Sequence, residues 1–116
     1  MPPKALDVDL KSRDQRARLP IRTKPYWIGL YEGAHIGYYR GRRARTWVAR
    51  FRQPGGFSNY QEATIAETDD SVDADGAKIL NFEQAQEVAL RWLKRMEKTA
   101  RREKQAIRFQ RHLMIT

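Results

Sequence analysis

Between His35 and Gln53 the sequence reads HIGYYRGRRARTWVARFRQ and holds six arginines with no acid. A guanidinium is a permanent cation with a planar fork of donors, suited to phosphate oxygens and to the O6 and N7 edge of guanine. These arginines stand on and between two short aromatic-rich runs that read as the arms of a β-hairpin. The chemistry this offers is recognition of a nucleic-acid backbone. Acid–base catalysis would need carboxylates and histidines clustered beside the basic face, and the sequence supplies no such cluster there.

Other site chemistries are poorly supplied. The chain has no cysteine, and its two histidines, His35 and His112, lie far apart, so neither a disulfide nor a zinc site is expected. Residues 60–76 hold Glu62, Glu67, Asp69, Asp70, Asp73 and Asp75 without a Lys or Arg. Clustered carboxylates can bind calcium, but counting from Asp69 the sixth position is Ala74 instead of glycine and the twelfth is Leu80 instead of glutamate. The segment is therefore expected to be a solvated, turn-rich loop, directed away from any phosphate-bearing ligand or held at its edge. No metal and no cofactor is expected.

Three β-runs would position the arginines. Ile36–Tyr39 and Thr46–Phe51 are rich in residues that suit a pleated surface, and Gly41 lies between them where the chain can reverse. Tyr60–Ala66 follows Pro54-Gly55-Gly56, a second turn signal. A period of two sends Trp47, Ala49 and Phe51 to one face, with Ile36 and Tyr38, and sends Val48, Arg50 and Arg52 to the other, with His35, Gly37 and Tyr39. In the third run Ala63 and Ile65 face inward, and Glu62 and Thr64 outward. One face of the sheet is apolar and the other cationic.

The apolar face needs a cover. Asn81 is a helix N-cap, with Glu83 and Gln84 in the first turn, and Phe82, Ala85, Val88, Ala89, Trp92, Leu93 and Met96 recur at helical spacing. Leu90 falls off this stripe, and Arg91, Lys94, Arg95 and Lys98 form a basic outer face. The aromatics on the stripe read as core packing. The expected fold class is α+β: a three-stranded antiparallel sheet packed on one long C-terminal helix, preceded by an extended basic arm.

The arm comprises residues 1–25. Its part from Lys11 to Pro25 is basic and polar, is interrupted by Pro20 and Pro25, and is expected to lie outside the core and to order on contact with DNA. Tyr26 and Trp27 read as packing residues that anchor the start of the domain at residues 26–98. Residues 99–116 read as a helical extension or linker, since 91–111 hold nine basic residues against Glu97 and Glu103. Ile107, Phe109, Leu113, Met114 and Ile115 would need a further domain or a partner to cover them.

At 116 residues and 13.7 kDa the chain makes one small domain with extensions and a modest core. No run approaches a membrane span, and MPPKALDVDL lacks the apolar region of a signal peptide, so a cytoplasmic location is expected. The net charge of +9 and pI near 10.3 favour a polyanionic partner with salt-sensitive affinity.

Several blocks together carry a family resemblance: Lys24-Pro25-Tyr26-Trp27, Gly37-Tyr38-Tyr39-Arg40-Gly41, Thr46 to Arg52 (TWVARFR), Thr68-Asp69-Asp70 with Asp73-Ala74-Asp75-Gly76, and Asn81-Phe82-Glu83-Gln84-Ala85. Their order and spacing over residues 12–98 resemble the N-terminal region of phage-integrase-type tyrosine recombinases. The resemblance implies an arm-type DNA-binding domain that inserts its sheet into the major groove, in the service of site-specific integration of a mobile element or prophage. The double-stranded DNA contacts it implies are Tyr39, Arg50 and Arg52 on the strands and Arg40, Arg42, Arg43 and Arg45 in the turn. Arg50 and Arg52 would read base edges and the turn arginines hold phosphates. Other integrase protomers are implied as partners, and neither a small-molecule substrate nor a membrane is. Two features depart from the family: Ile65-Ala66 where relatives have an apolar residue followed by glycine, and Glu62 on the face meant for DNA. The arginines and nucleophilic tyrosine of a recombinase catalytic domain are not among these residues, so no enzymatic activity is expected of them. The alternative reading is a free-standing DNA- or RNA-binding accessory protein of a mobile element, for which Tyr39 and Tyr60 would be the stacking aromatics.

Overall fold

Alternating burial organises the sheet. On β2 (Ala34–Arg40) Ala34, Ile36 and Tyr38 are fully buried, and on β3 (Arg45–Phe51) Trp47, Ala49 and Phe51 join them. The two strands pair antiparallel from Ala34↔Phe51 to Arg40↔Arg45, and the reversal at residues 41–44 is closed by Gly41 N–H donating to the Ala44 carbonyl at 2.9 Å. The strand faces expected of both runs are therefore the observed ones. The computed structural model describes residues 9–53 and 59–115, with side chains placed as far as residue 102. The turn at Pro54-Gly55-Gly56 and the side chains of His112 and of the apolar C-terminal residues fall outside the described residues.

The chain is α+β, a five-stranded mixed sheet with one long C-terminal helix, and in this the expected three strands are corrected. The order is β1-β2-β3-β4-β5, with β1 (Tyr26–Tyr31) antiparallel to β2, β4 (Gln61–Thr68) antiparallel to β3, and β5 (Ile79–Leu80) parallel to β4. The strand β1 follows the same alternation: Tyr26 is buried, and Ile28 and Leu30 pack on the core. Gly33, at φ 80°, makes the two-residue reversal between Tyr31 and Ala34, a backbone conformation that disfavours side chains. The strand β5 has two residues, too few to show a period.

On β4 the alternation breaks at a bulge. Thr64 pairs with Val48 and Ala66 with Trp47, so Ile65 is an extra residue, and both Ile65 and Ala66 pack against the core. A strict period of two could assign only one of them inward.

The helix α2 (Phe82–Ile115) covers the inner face, packing on β2, β3, β4 and β5. Asn81 Oδ1 accepts from Gln84 N–H at 2.8 Å while Gln84 Oε1 accepts from Asn81 N–H at 3.1 Å, a reciprocal cap that satisfies two otherwise orphaned donors. Phe82, Ala85, Ala89 and Leu93 are buried, and the two alanines let the helix approach the sheet closely. Leu90, expected off the stripe, is half-buried beside Ala34, Phe51 and Leu93. Trp47, without exposed surface, stacks edge-on to Phe82 at 5.8 Å, and its Nε1–H donates to the Leu80 carbonyl at 2.8 Å, which ties β5 to the core.

The N-terminal segment is the main correction. Leu10 is fully buried in the core cluster, and α1 (Arg13–Ala17), capped by Ser12, seats Arg16 with no exposed surface. Arg16 donates to Asp69 and, at 2.8 Å, to Asp70, and its Nη1 donates to the Leu10 carbonyl at 2.8 Å. Residues 10–19 thus complete the core instead of forming an arm outside it. Asp69 and Asp70 are correspondingly drawn in from the loop expected to be solvated. Beyond them, Asp73 and Asp75 remain exposed. Asp75 Oδ1 accepts from the backbone N–H of Ala77, Lys78 and Ile79, which holds its carboxyl below the usual range.

Candidate nucleic-acid interface

With α2 on the inner face, no other element among the described residues covers the outer face of β1 to β4, which carries Trp27, His35, Tyr39, Arg50 and Arg52, with Tyr60 just before β4. The rows across the sheet follow from register. Trp27 stands beside Gly37 and then Val48, and His35 stands between Gly29 and Arg50, with Glu62 next beyond.

Arg50 is the centre of this surface. Its guanidinium carbon lies 4.3 Å from the Trp27 ring centroid and 4.2 Å from that of Tyr60, and its Nε–H donates to His35 Nδ1 at 3.3 Å. Arg52 lies over the same Tyr60 ring at 4.7 Å. His35 packs edge-on to both Trp27 and Tyr60, at 6.3 and 5.6 Å. Burial, followed by the charges of Arg50 and Arg52, pushes the His35 pKa down, so the ring stays neutral and its Nδ1 can accept. Gly37 makes room for the indole: a Cβ there would sit 2.6 Å from Trp27 Cε3 and 2.9 Å from a Val48 methyl.

The turn arginines divide into two kinds. Arg42 and Arg43 are exposed at the tip of the β2–β3 hairpin. Arg40 and Arg45 are the last and first residues of their strands, on the parity of Tyr38 and Trp47, and so turn toward the core side. Arg40 Nη1 donates to the Arg16 carbonyl at 2.7 Å, and its Nε is buried without a partner among the described residues. Arg45 Nη1 stands 3.9 Å from Asp70 Oδ2. The four arginines expected as phosphate contacts thus stand in different surroundings, Arg40 and Arg45 beside α1 and Asp70 and Arg42 and Arg43 at the exposed tip. Tyr39 faces outward, but its phenol leans over the turn, so near Gly41 that a Cβ there would meet its Oη at 2.6 Å.

Among the described residues no ion pair engages Arg42, Arg43, Arg50 or Arg52. Glu62 pairs with Arg50 in register, yet the guanidinium turns to the aromatic rings instead. Cations also line the β1 edge: Arg22, Lys24 and Arg50 surround a shallow hollow walled by Trp27 and Pro25. Arg22 is fixed there, 3.6 Å over the Tyr26 ring and donating to the carbonyls of Lys24 and Pro25.

Sequence reasoning missed Trp27 as an outward residue. The signal was present in YWIGLY, whose Tyr26, Ile28 and Leu30 alternate inward and leave Trp27, Gly29 and Tyr31 outward. It also missed Arg16, which nothing in composition distinguishes from its basic neighbours. Among the described residues no group of His, Asp and Glu is placed to hold a metal ion, and no helix is long and apolar enough to cross a membrane. No family model, no curated protein and no solved structure matches this chain.

Proposed function

We propose that the chain binds double-stranded DNA sequence-specifically through the outer face of its sheet, as an arm-type module of a phage-type integrase serving site-specific recombination. The observation that carries this reading is an uncovered β-surface bearing Arg50 and Arg52, continuous with Arg42 and Arg43 at the hairpin tip, with no ion pair to any of the four among the described residues. The order of the motif blocks, which resembles that family, supports it independently.

Dimensions favour the β2–β3 hairpin as the inserted part. A major groove about 12 Å wide admits a two-stranded ribbon, whereas four strands at about 4.8 Å spacing span more than the groove. The strands β1 and β4 then lie toward the phosphate walls. The β1 side brings Arg22 and Lys24, while the β4 side brings exposed Glu62 and Glu67. Docking would therefore favour the β1 side.

The aromatic arrangement weighs against the alternative of single-stranded RNA binding. Base stacking needs an open ring face. The Trp27 and Tyr60 rings are already covered by guanidinium groups.

The test is fluorescence anisotropy against a random duplex pool, duplexes selected from it, and a matched RNA duplex across a salt series. A selected duplex that outcompetes bulk DNA at moderate salt is expected. Arg50→Ala or Arg52→Ala should then cost about 1–3 kcal/mol on that duplex and flatten sequence preference. Equal, steeply salt-dependent binding to DNA and RNA would refute sequence-specific recognition.

A further inference from the structure

An arginine that reads a base must hold its planar fork in one orientation, and an exposed arginine loses much rotamer freedom when it does so. Arg50 is already held. Its guanidinium packs over Trp27, which projects from β1, two strands away, and over Tyr60, which approaches from the β4 side, while its Nε–H is taken by His35 Nδ1. The rings thus hold the guanidinium carbon at 4.3 and 4.2 Å, and the bond to His35 takes the Nε–H. The two terminal nitrogens, the pair whose spacing matches guanine O6 and N7, have no carboxylate partner among the described residues.

We infer that Trp27, Tyr60 and His35 form a clamp that presents the terminal donors of Arg50 to guanine, making Trp27 and Tyr60 positioning residues for sequence discrimination. The inference rests on the DNA-binding reading above and assigns that surface a chemical preference, a G·C pair opposite Arg50. Among the described residues Arg52 has one ring over it, that of Tyr60, and Arg42 and Arg43 at the exposed tip have none. Gly37 belongs to the same device, because any side chain there would displace the indole.

A lysine at position 50 could keep the charge but not the planar fork. Loss of a ring should act differently from loss of the charge. Trp27→Ala should weaken binding to bulk duplex less than binding to the selected duplex, since no formal charge is removed. Discrimination between the selected duplex and one with the critical G·C pair changed to A·T should fall by about tenfold, the lower part of the range for one bidentate base contact.

The experiment joins a readout without DNA to one with it. In the 15N-labelled full chain the Arg50 Nε–H resonance is expected to be displaced from its free-arginine position by the rings and by the bond to His35 Nδ1, and to be slowed in solvent exchange, and Trp27→Ala and Tyr60→Leu should each move it toward free-arginine values. The same variants, with Trp27→Phe as partial rescue and thermal melts to verify folding, are then titrated with the two duplexes. Shifted resonance together with lost discrimination supports the clamp. An unshifted Arg50 resonance in the unaltered protein overturns it whether or not DNA binds. A clamp seen in the resonance but with discrimination unchanged in Trp27→Ala overturns the positioning role and leaves the DNA reading intact. An intact clamp in a protein with no sequence preference overturns both.

Discussion

Arg16 and Asp70 lie 54 positions apart in sequence, and the Arg16 Nε–H donates to Asp70 Oδ1 at 2.8 Å in a site where the arginine has no exposed surface. Asp69 takes the neighbouring Nη2, Tyr38 donates its hydroxyl to the other Asp70 oxygen, and the guanidinium lies 5.0 Å from the Trp47 ring centroid. The N-terminal segment, the acidic loop and the centre of the sheet are thereby joined in one buried network. Burial, with the bond to Asp70, pushes the Tyr38 pKa up.

Removing one member of such a network strands the rest. Arg16→Ala is expected to destabilise the fold by about 3–5 kcal/mol, because two largely buried carboxylates would lose their partner. Deleting residues 1–18 should do at least as much damage, since Leu10 leaves as well. Urea denaturation checks both. Unchanged midpoints would mean that the segment is a detachable arm. Arg16→Met combined with Asp69→Asn and Asp70→Asn should recover part of the loss, because no unpaired charge then remains buried.

Gly37→Ala is expected to lower DNA discrimination as well as stability. The added methyl meets the Trp27 ring and a Val48 methyl, both on the outer face, so the indole must move off Gly37 while the core beneath is untouched. A cost of about 1–3 kcal/mol, typical of overpacking, is expected by thermal melt. Trp27 fluorescence should report the move through a change in quenching, although Trp47 and Trp92 contribute a constant background.

Stability should also depend on His35 as the pH falls below about 6.5. Its pKa is lowered in the folded chain, by burial first and then by Arg50 and Arg52. Above about 6.5, the ordinary histidine value, both folded and unfolded states are neutral and the group has no effect. As the pH falls below that value the unfolded chain takes up the proton first, so stability declines until the lowered folded pKa is passed. Denaturant melts of the unaltered chain should show this loss, and His35→Gln should flatten it across the same window. Equal slopes for the two proteins would contradict a neutral His35 holding Arg50.

Arg42 and Arg43 are expected to behave as phosphate contacts. Replacing either with Gln should weaken binding to all duplexes alike and reduce the salt slope by about one unit, whereas Arg40→Gln should mainly destabilise the fold through the lost bond to the Arg16 carbonyl. Anisotropy titrations at three salt concentrations separate the two behaviours. Arg45→Gln is expected to resemble Arg40→Gln more than Arg42→Gln, given its place beside Asp70.

The sequence carried the parts of this fold that repeat with a period. The faces of β2 and β3, the stripe on α2 and the Asn81 cap were all legible, because burial of alternate or every third and fourth residue leaves a pattern in residue type. The bulge at Ile65 was not, since a single extra residue breaks a period without announcing where. Nor was the burial of Arg16. An arginine buried through partners more than fifty residues away has no local signature, and the basic residues around it made solvent exposure the natural reading. The same long-range pairing drew Arg40 and Arg45 inward while Arg42 and Arg43, two residues along the turn, stayed exposed. Trp27 packs as its residue type suggests, but on the outer face, which only the alternation of a strand at Tyr26–Tyr31 assigns.

The chain presents a second basic surface, the exposed face of α2 with Arg91, Lys94, Arg95 and Lys98, so the decisive measurement is where DNA lands. A 15N NMR titration of the full chain with a selected duplex locates it directly. The account expects the largest shifts at the Trp27 indole N–H, the Arg50 and Arg52 side chains, and the backbone of residues 41–44, with little change at Arg91, Lys94 and Lys98. Shifts concentrated on α2, with the outer face of the sheet unmoved, would contradict it.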